Sequence, residues 1–285
     1  VLFRSLLVNL SIAILASALA YWRKSLSIDG AVLAAITALV HLSVGVSPTV
    51  YLLLFFITSS VWTKVGKRTK VKLEQKYLEE STRGAEQVLC NSFASTLSCI
   101  GLLAIHSNSG SVACYTYTAL EAFLYGIIPG FYSCTNGDTW SSEIGILSKT
   151  RPVLITTLKT VPTGTNGGIS SLGLIGGLGG SFLVGVVTGI FHSYYCGFEP
   201  IIFCILCAAV TVSGLIGNIL DSLFGALFQF SGWDEERKCV VRQPGEHVKI
   251  ISGRDVLGNS VINLITSTIS GVLSGVLFVL IRRVF

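Results

Sequence analysis

The stretch PIIFCILCAAVTVSGLIGNILDSLFGALFQ (residues 200–229) decides the fold class of this chain. It contains one charged side chain, Asp221, and exceeds the roughly 20 apolar residues that a helix needs to cross a bilayer. The whole chain is similar, since 51% of its residues are hydrophobic and only 12% are charged. A soluble domain carries about 25% charged residues, so this chain has too little polar surface to cover itself in water. We therefore expect an all-α, polytopic membrane helical bundle.

About eight apolar stretches predict transmembrane spans. They lie near residues 2–21, 29–46, 48–63, 88–106, 114–135, 166–191, 200–229 and 256–281. We expect a single integral-membrane domain over residues 1–285, with basic loops at 63–87, 148–165 and 231–255. The first stretch lacks a clear small-residue cleavage site and is followed by further spans, so we interpret it as a span rather than a signal peptide.

Basic residues indicate the orientation of the chain. Seventeen of the 20 Lys and Arg residues lie in alternate gaps between the predicted spans. Positive charge is retained in cytoplasmic loops, so these gaps should face the cytoplasm and both termini the opposite side. This predicts a multi-pass protein of an endomembrane, or of the plastid envelope in a plant, with the bilayer and no nucleic acid as partner.

The sequences of two basic loops predict local structure. The segment Lys64–Glu80 has mixed charges and is expected to form an amphipathic helix near the anionic leaflet, with a substrate-binding role as the alternative. The polar loop from Ser231 to Arg254 has a turn at Pro244-Gly245 and is expected to form a small hairpin over the site. The cysteines and histidines show no metal-ligand spacing, and the CxxC pair Cys204 and Cys207 lies in an apolar run that favours packing.

Polar residues form five clusters at the predicted cytoplasmic side. The clusters are Asn136, Gly137, Asp138, Thr139, Ser142 and Glu143; Asn218, Asp221 and Ser222; Gly164, Thr165, Asn166, Gly167 and Gly168; Arg83, Gln87 and Asn91; and Asp255, Asn259 and Asn263. Carboxylates, amides, an arginine and a glycine-rich loop are the groups that phosphate chemistry with Mg²⁺ needs. We therefore predict an active site at the cytoplasmic ends of the helices.

The two acidic clusters are the strongest of these signals. The dipeptide Asn136-Gly137 indicates a turn, and a helix is expected to restart after it with Asp138 as N-cap. On that helix Asp138 and Ser142 lie on one face, and Glu143 lies on a different one. Asp221 lies inside an apolar span, on one face with Asn218, Ser222, Gly225 and Gln229. A charge at that depth needs a partner or water, which favours a functional role. A capped helix end and a buried structural hydrogen bond are the respective alternatives.

The other clusters have weaker signals. Gly164–Gly168 opens the sixth span and could form a backbone nest for an anion, or a plain turn. Arg83, Gln87 and Asn91 recur every four residues on one helical face; Arg83 could clamp a phosphate or extend to the membrane surface. Asn259 and Asn263 follow Asp255 with the same spacing and could serve the site or join helices. The glycines of the sixth span favour close helix packing, with a groove for a lipid chain as the alternative.

The same residues carry a family resemblance. The strings QVLCNS (87–92), GDTWSSEIG (137–145), LITTLKTVPTGTNGGIS (154–170), GNILDSLFGALFQFSG (217–232) and LGNSVIN (257–263) are similar to those of the integral-membrane family that includes animal transmembrane protein 19 and the plant phytyl-phosphate kinase. The resemblance runs from about Ser27 to Phe285. It implies a multi-span helical enzyme that phosphorylates an isoprenoid monophosphate, with a nucleoside triphosphate as donor.

Matched position by position, this resemblance covers most of the candidate residues. The matching positions are Gln87, Asn91, Asp138, Ser142, Glu143, Gly164, Thr165, Asn166, Gly167, Gly168, Asp221 and Ser222. One departure stands out, because relatives tend to have an acid where this chain has Gly258.

Our main hypothesis is a membrane-embedded prenyl-phosphate kinase with CTP or ATP as phosphoryl donor. Asp138 and Asp221 are the predicted Mg²⁺ ligands, Glu143 supports them, and Arg83 with the Gly164–Gly168 loop binds phosphates. The isoprenoid tail is expected between the sixth and seventh spans. The alternatives are a transporter or channel for a small solute, a CTP-dependent lipid cytidylyltransferase, and a pseudoenzyme with a scaffolding role.

Overall fold

The computed structural model describes residues 2–73, 82–106 and 118–283, and these residues are predominantly helical. The helices are α1 Leu2–Trp22, α2 Ile28–Val44, α3 Val46–Lys64, α4 Lys67–Leu73, α5 Ala85–Cys90, α6 Phe93–His106, α7 Ala119–Gly145, α8 Ser171–Cys196, α9 Pro200–Phe228 and α10 Asn259–Arg282. Among the described residues, four helices (α3, α8, α9 and α10) are long and apolar enough to cross a membrane. Helices α1, α2 and α6 are apolar over shorter lengths of 10–17 residues. The count of eight spans therefore stays a prediction.

Helix α7 runs through the middle of the bundle. It begins with a capping box, in which the Thr118 backbone N–H donates to Glu121 Oε2 at 2.7 Å and the Glu121 N–H donates to Thr118 Oγ1 at 3.2 Å. It packs against α3, α6, α8, α9 and α10. Phe131 and Tyr132 lie fully buried on it and join the main apolar core with Tyr51 of α3.

The predicted turn at Asn136-Gly137 is wrong, and Asp138 is not an N-cap, because α7 is continuous to Gly145. Asn136 is fully buried; its amide donates to Gly180 O at 2.9 Å, and its Oδ1 accepts from Thr58 Oγ1 at 2.7 Å. A Cβ atom added at Gly137 would lie 2.9 Å from Gly177 O, so only glycine lets α7 and α8 approach this closely. Packing between helices thus overrides the local turn preference of this dipeptide.

Five short strands lie in the loops; the first two were not predicted, and the other three fall where the sequence predicted a hairpin. β1 Val153–Leu154 pairs antiparallel with β2 Gly168–Ile169. β3 Ser231–Asp234, β4 Cys239–Val241 and β5 Val248–Ser252 form an antiparallel sheet in the order β4-β3-β5. Strands of two to five residues are too short to show an alternating pattern in sequence.

The two loop predictions have different outcomes. The expected hairpin over residues 231–254 exists as this three-stranded sheet. Helix α4 covers the first part of the amphipathic segment predicted at Lys64–Glu80, and the later part of that segment lies outside the described residues.

Candidate functional site

A polar cavity of about 290 Å³ lies where the ends of α5, α7, α9 and α10 meet the loop before α8. The predicted site residues that line it are Arg83, Gln87, Asn91, Asp138, Ser142, Glu143, Gly164, Thr165, Asn166, Gly167, Gly168, Asp221, Ser222, Asn259 and Asn263. Four residues of the predicted clusters do not line it. Asn136, Gly137 and Asn218 are buried where α7 meets its neighbouring helices, and Asp255 is exposed outside the cavity. The structure therefore brings residues of all five clusters together, but only the glycine-rich cluster and the cluster of Arg83, Gln87 and Asn91 line the cavity in full.

The two aspartates of the cavity come from neighbouring helices. Asp138 on α7 and Asp221 on α9 are partly buried and close enough for their charges to interact. Thr266 Oγ1 donates to Asp221 Oδ2 at 3.2 Å, and the amide nitrogen of Asn263 can donate to the same oxygen at 3.1 Å. Two carboxylates held near each other in a poorly solvated place repel, and a bound cation would relieve that repulsion.

Glu143 is held differently from the aspartates. The ammonium group of Lys70, which is fully buried, contacts Glu143 Oε2 at 2.5 Å, and Thr63 Oγ1 donates to Glu143 Oε1 at 2.8 Å. Lys70 also donates to the carbonyl oxygen of Trp62 at 2.7 Å. Although Glu143 lines the cavity, its charge is already offset within the protein, so it ties α4 to α7 more than it offers an open carboxylate.

Arg83 reaches the cavity without lying on the predicted helical face, because α5 begins only at Ala85 and ends before Asn91. The backbone of Arg83 is held in a short bridge: its N–H donates to Ser25 O at 3.2 Å, and its carbonyl accepts from Ser27 N at 3.1 Å. Burial lowers the pKa of Arg83 to about 10, so the guanidinium remains protonated at neutral pH. Arg83 is only partly exposed and its guanidinium lies over the rings of Phe55 and Phe56, which argues against an arginine that extends along the surface to water.

The glycine-rich loop lies before α8 rather than at its start, because the helix begins at Ser171 with Ser170 as N-cap. Three amides of the predicted nest already donate within the protein: Thr165 to Pro162 O, Asn166 to Ser231 Oγ, and Gly168 to Thr165 O. At these three positions the loop does not offer free amides for an anion nest, one of the two readings that the sequence left open.

Gly167 explains why this loop needs glycine. Its φ angle is +74°, and a Cβ atom there would lie 2.6 Å from Ser222 O and 2.8 Å from Ala226 Cα. The residue must therefore adopt a left-handed conformation directly against the backbone of α9. This contact sets the loop beside Asp221 and gives the TNGG string a structural role.

Several lining residues were missed by the sequence reasoning. They are Thr63, Ser170, Arg242 and Ser260, whereas Thr139, Ser141 and Gln229 also line the cavity and lie in motifs that the sequence analysis named. Gln229 was placed on the right face, and its Nε2 donates to Asn259 Oδ1 at 3.3 Å. Arg242 follows β4, so only the observed sheet reveals that it reaches the cavity.

The donor set of the cavity is compatible with Mg²⁺. The described lining residues offer carboxylate, hydroxyl and amide oxygens, and none is His or Cys. In the described parts of the chain, no group of three or more His, Cys, Asp and Glu residues could hold a metal by itself. This fits Mg²⁺, which is commonly bound through one or two carboxylates plus substrate phosphates, and does not fit a zinc centre.

Comparison with known proteins agrees with this architecture. The model of the family "Integral membrane protein DUF92" matches residues 11–271. The chain is 37% identical over 260 residues to protein PGR of Arabidopsis thaliana, covering 90% of each chain. It is 34% identical over 203 residues to an uncharacterized membrane protein of Methanocaldococcus jannaschii, covering 71% of this chain and 70% of that one.

A third relative is more distant. The chloroplastic protein VTE6 of Arabidopsis thaliana is 30% identical over 182 residues, which cover 61% of this chain and 49% of that protein. No solved structure matches the chain. From the extent of the family match and of the likeness to PGR, the chain belongs to the DUF92 family of integral membrane proteins.

Proposed function

We propose that this protein is a membrane-embedded kinase that transfers the terminal phosphoryl group of a nucleoside triphosphate to an isoprenoid monophosphate. The observation that carries the proposal is the convergence of Asp138, Asp221 and Arg83, from three separate elements, on one polar cavity. The family resemblance to the plant phytyl-phosphate kinase supports the choice of a phytyl or similar prenyl substrate.

Asp138 and Asp221 are the proposed ligands of Mg²⁺. When bound, this ion would offset negative charge on the phosphoryl group in transfer. Thr266 and Asn263 hold the Asp221 carboxylate in place through hydrogen bonds. Lys70 keeps the Glu143 charge offset, so that a further acid at the cavity wall does not repel the incoming phosphates.

The protein's main task in this reaction is to position two phosphate groups. Arg83 binds the substrate monophosphate, and the amides of Gln87 and Asn91 lie beside it in the cavity wall. A monophosphate oxygen forms a new bond to the terminal phosphorus of the donor, and the bond from that phosphorus to the leaving nucleoside diphosphate breaks. The attacking oxygen is already a nucleophile, so a strong general base is not required.

The distribution of basic residues supports the proposed orientation. We propose that the cavity opens toward the cytoplasm, or toward the equivalent compartment of a plastid, where nucleoside triphosphates are available. Both termini then lie on the opposite side of the membrane. Adding labelling sites near Leu2 and Arg282 and testing their accessibility in sealed vesicles checks this arrangement.

Product analysis tests the function directly. The purified protein in lipid nanodiscs receives phytyl or geranylgeranyl monophosphate, Mg²⁺, and either CTP or ATP. We expect prenyl diphosphate and nucleoside diphosphate as products. Release of pyrophosphate would instead favour a cytidylyltransferase, and absence of any product across the panel contradicts the kinase proposal.

A further inference from the structure

A second, apolar cavity of about 80 Å³ lies between α1, α2, α3 and α5. Its walls include Ala16 and Ala20 of α1, Ala34 and Ala38 of α2, and Phe56 of α3. Alanines on two facing helices leave room that larger side chains would fill. Ala16 is exposed, so the cavity opens as a groove toward the lipid-facing surface of α1.

The apolar groove and the polar cavity meet at one place. Arg83, Gln87 and Asn91 line both of them. A molecule with an anionic head and a greasy tail could therefore occupy both spaces at once, with its charge on the polar side of this junction.

Arg83 has the features expected of a residue that binds an anion at this junction. Its guanidinium carbon lies 5.5 Å from the ring centroid of Phe55 and 5.6 Å from that of Phe56, so aromatic faces cover it. Its Nη1 atom is buried and, among the described residues, has no hydrogen-bond partner. A buried donor without an acceptor is destabilising, and a phosphate oxygen in the cavity would supply that acceptor.

The sequence predicted the tail between α8 and α9, but these two helices are in direct contact at two glycines of α8. A Cβ atom added at Gly185 would lie 2.6 Å from Cys207 O, and one at Gly189 would lie 2.7 Å from the ring of Phe203. The glycines of α8 bring the two helices into direct contact and leave no space for a chain between them at these positions.

We propose that the isoprenoid tail of the substrate lies in the groove between α1, α2, α3 and α5, with its phosphate at Arg83. This inference rests on the proposed function and adds the binding site for the tail. The groove holds the isoprene units nearest the phosphate, and the rest of the tail leaves past Ala16 into the bilayer.

Photo-crosslinking tests the location without needing turnover. The full chain in nanodiscs is irradiated with geranylgeranyl monophosphate that carries a diazirine in the isoprene unit next to the phosphate, and the labelled peptides are mapped. We expect label on the groove-lining segments of α1, α2 and α3, competed by unmodified geranylgeranyl monophosphate. Label on α8 and α9, or no competed label, overturns the inference.

Groove-filling variants provide the second measurement. Ala38→Phe should reduce competed labelling by at least about tenfold, because a ring occupies the space of the tail. Ala34→Leu is a smaller change in the same groove and keeps the test open if the phenylalanine variant does not fold. The matched control is Ala18→Phe on the exposed face of α1, which should stay within about twofold of wild type. Equal labelling of Ala38→Phe, Ala34→Leu and wild type overturns the inference.

The two proposals can fail separately. Competed label in the groove without any prenyl diphosphate product contradicts the kinase and leaves the tail site standing. Prenyl diphosphate formation with label on α8 and α9 contradicts the tail site and leaves the kinase standing.

Discussion

The two sides of the helical bundle are packed in different ways. Helices α7, α8, α9 and α10 meet through glycine and serine: a Cβ atom at Gly130 would lie 2.9 Å from Ser270 O, and one at Gly176 would lie 2.8 Å from Trp140 O. Helices α1, α2 and α3 leave an apolar groove between them, lined by alanines and large side chains. The helices of the first side are in direct contact along these glycines, whereas the helices of the second side leave apolar space between them.

This difference matches the kinds of residue that each side carries. Asp138 and Asp221 lie on the closely packed side, where small displacements would disturb the positions of charged groups. The groove lies on the other side, where a flexible tail needs space more than exact alignment. Arg83 lies where the two sides meet. We call α7, α8, α9 and α10 the rigid side, which carries the acids proposed for phosphate chemistry. We call α1, α2 and α3 the open side, which carries the groove proposed for the lipid.

The largest expected effect concerns the acids of the rigid side. Asp221→Asn keeps the shape and the hydrogen-bonding reach of the side chain but removes its charge, so prenyl diphosphate formation should fall by about 10²–10³-fold. Asp138→Asn should reduce prenyl diphosphate formation by a similar factor. Steady-state assays with saturating Mg²⁺ measure the loss.

Asp255→Asn is the matched control for these variants. Asp255 is exposed and does not line the cavity, so the activity of the Asp255→Asn variant should stay within about twofold of wild type. Full activity of Asp221→Asn would refute the assignment of the rigid side as the catalytic side.

The ion pair between α4 and α7 should give the largest effect on stability. Lys70→Met removes the buried ammonium group that contacts the Glu143 carboxylate, which should lower the free energy of unfolding by about 3–5 kcal/mol. Adding Glu143→Gln to Lys70→Met should restore part of the lost free energy of unfolding. Thermal unfolding in detergent measures both.

Lys67→Met serves as the control for this pair, because Lys67 is exposed on the same short helix. The unfolding temperature of Lys67→Met should be close to that of wild type. If Lys70→Met and Lys67→Met unfold at the same temperature, the buried ion pair does not join these helices as described.

Two neighbouring glycines of α8 test the close packing of the rigid side. A Cβ atom at Gly180 would lie 2.9 Å from Asn136 O, whereas one at Gly179 would meet the Trp140 ring at an ordinary 3.6 Å. Gly180→Ala should therefore destabilise by about 1–3 kcal/mol through overpacking. Gly179→Ala should be neutral or slightly stabilising, because alanine favours the helix. Equal stabilities of the two variants would argue against direct backbone contact between α7 and α8.

The smallest expected effect concerns the start of α10. Gly258 is its N-cap, with φ −72° and ψ 158°, and no side chain caps the helix there. A Cβ atom at this position meets nothing within 4 Å, so aspartate fits and can accept from the first turn. Gly258→Asp should stabilise the protein by a few tenths of a kcal/mol, while Gly258→Ala should destabilise it. A destabilised aspartate variant, measured by thermal unfolding, would show that the cap position is described wrongly.

The sequence predicted the helical framework and the polar clusters because both signals are local. Apolar stretches located the long helices, and Asp221 stood out as a charge inside one of them. The sequence did not predict the continuity of α7 through Asn136-Gly137, because the contacts that hold these residues come from α3 and α8.

The contacts between side chains at the site depend on tertiary structure even more than the course of α7 does. Lys70 is one of several basic residues in its loop, and only the packing of α4 selects it as the partner of Glu143. The sequence predicted a hairpin over residues 231–254, but the position of Arg242 at the cavity depends on how that sheet packs against the helices. The groove arises where helices distant in sequence face one another, so no local pattern reveals it.

Binding of Mn²⁺, used as a paramagnetic substitute for Mg²⁺, tests the central claim most directly. Electron paramagnetic resonance in nanodiscs compares wild type, Asp138→Asn and Asp221→Asn in the presence of a non-hydrolysable nucleoside triphosphate. The account predicts nucleotide-dependent Mn²⁺ binding in wild type that both variants lose. Equal binding by all three proteins, or none by wild type, would contradict a metal–phosphate site between these two aspartates.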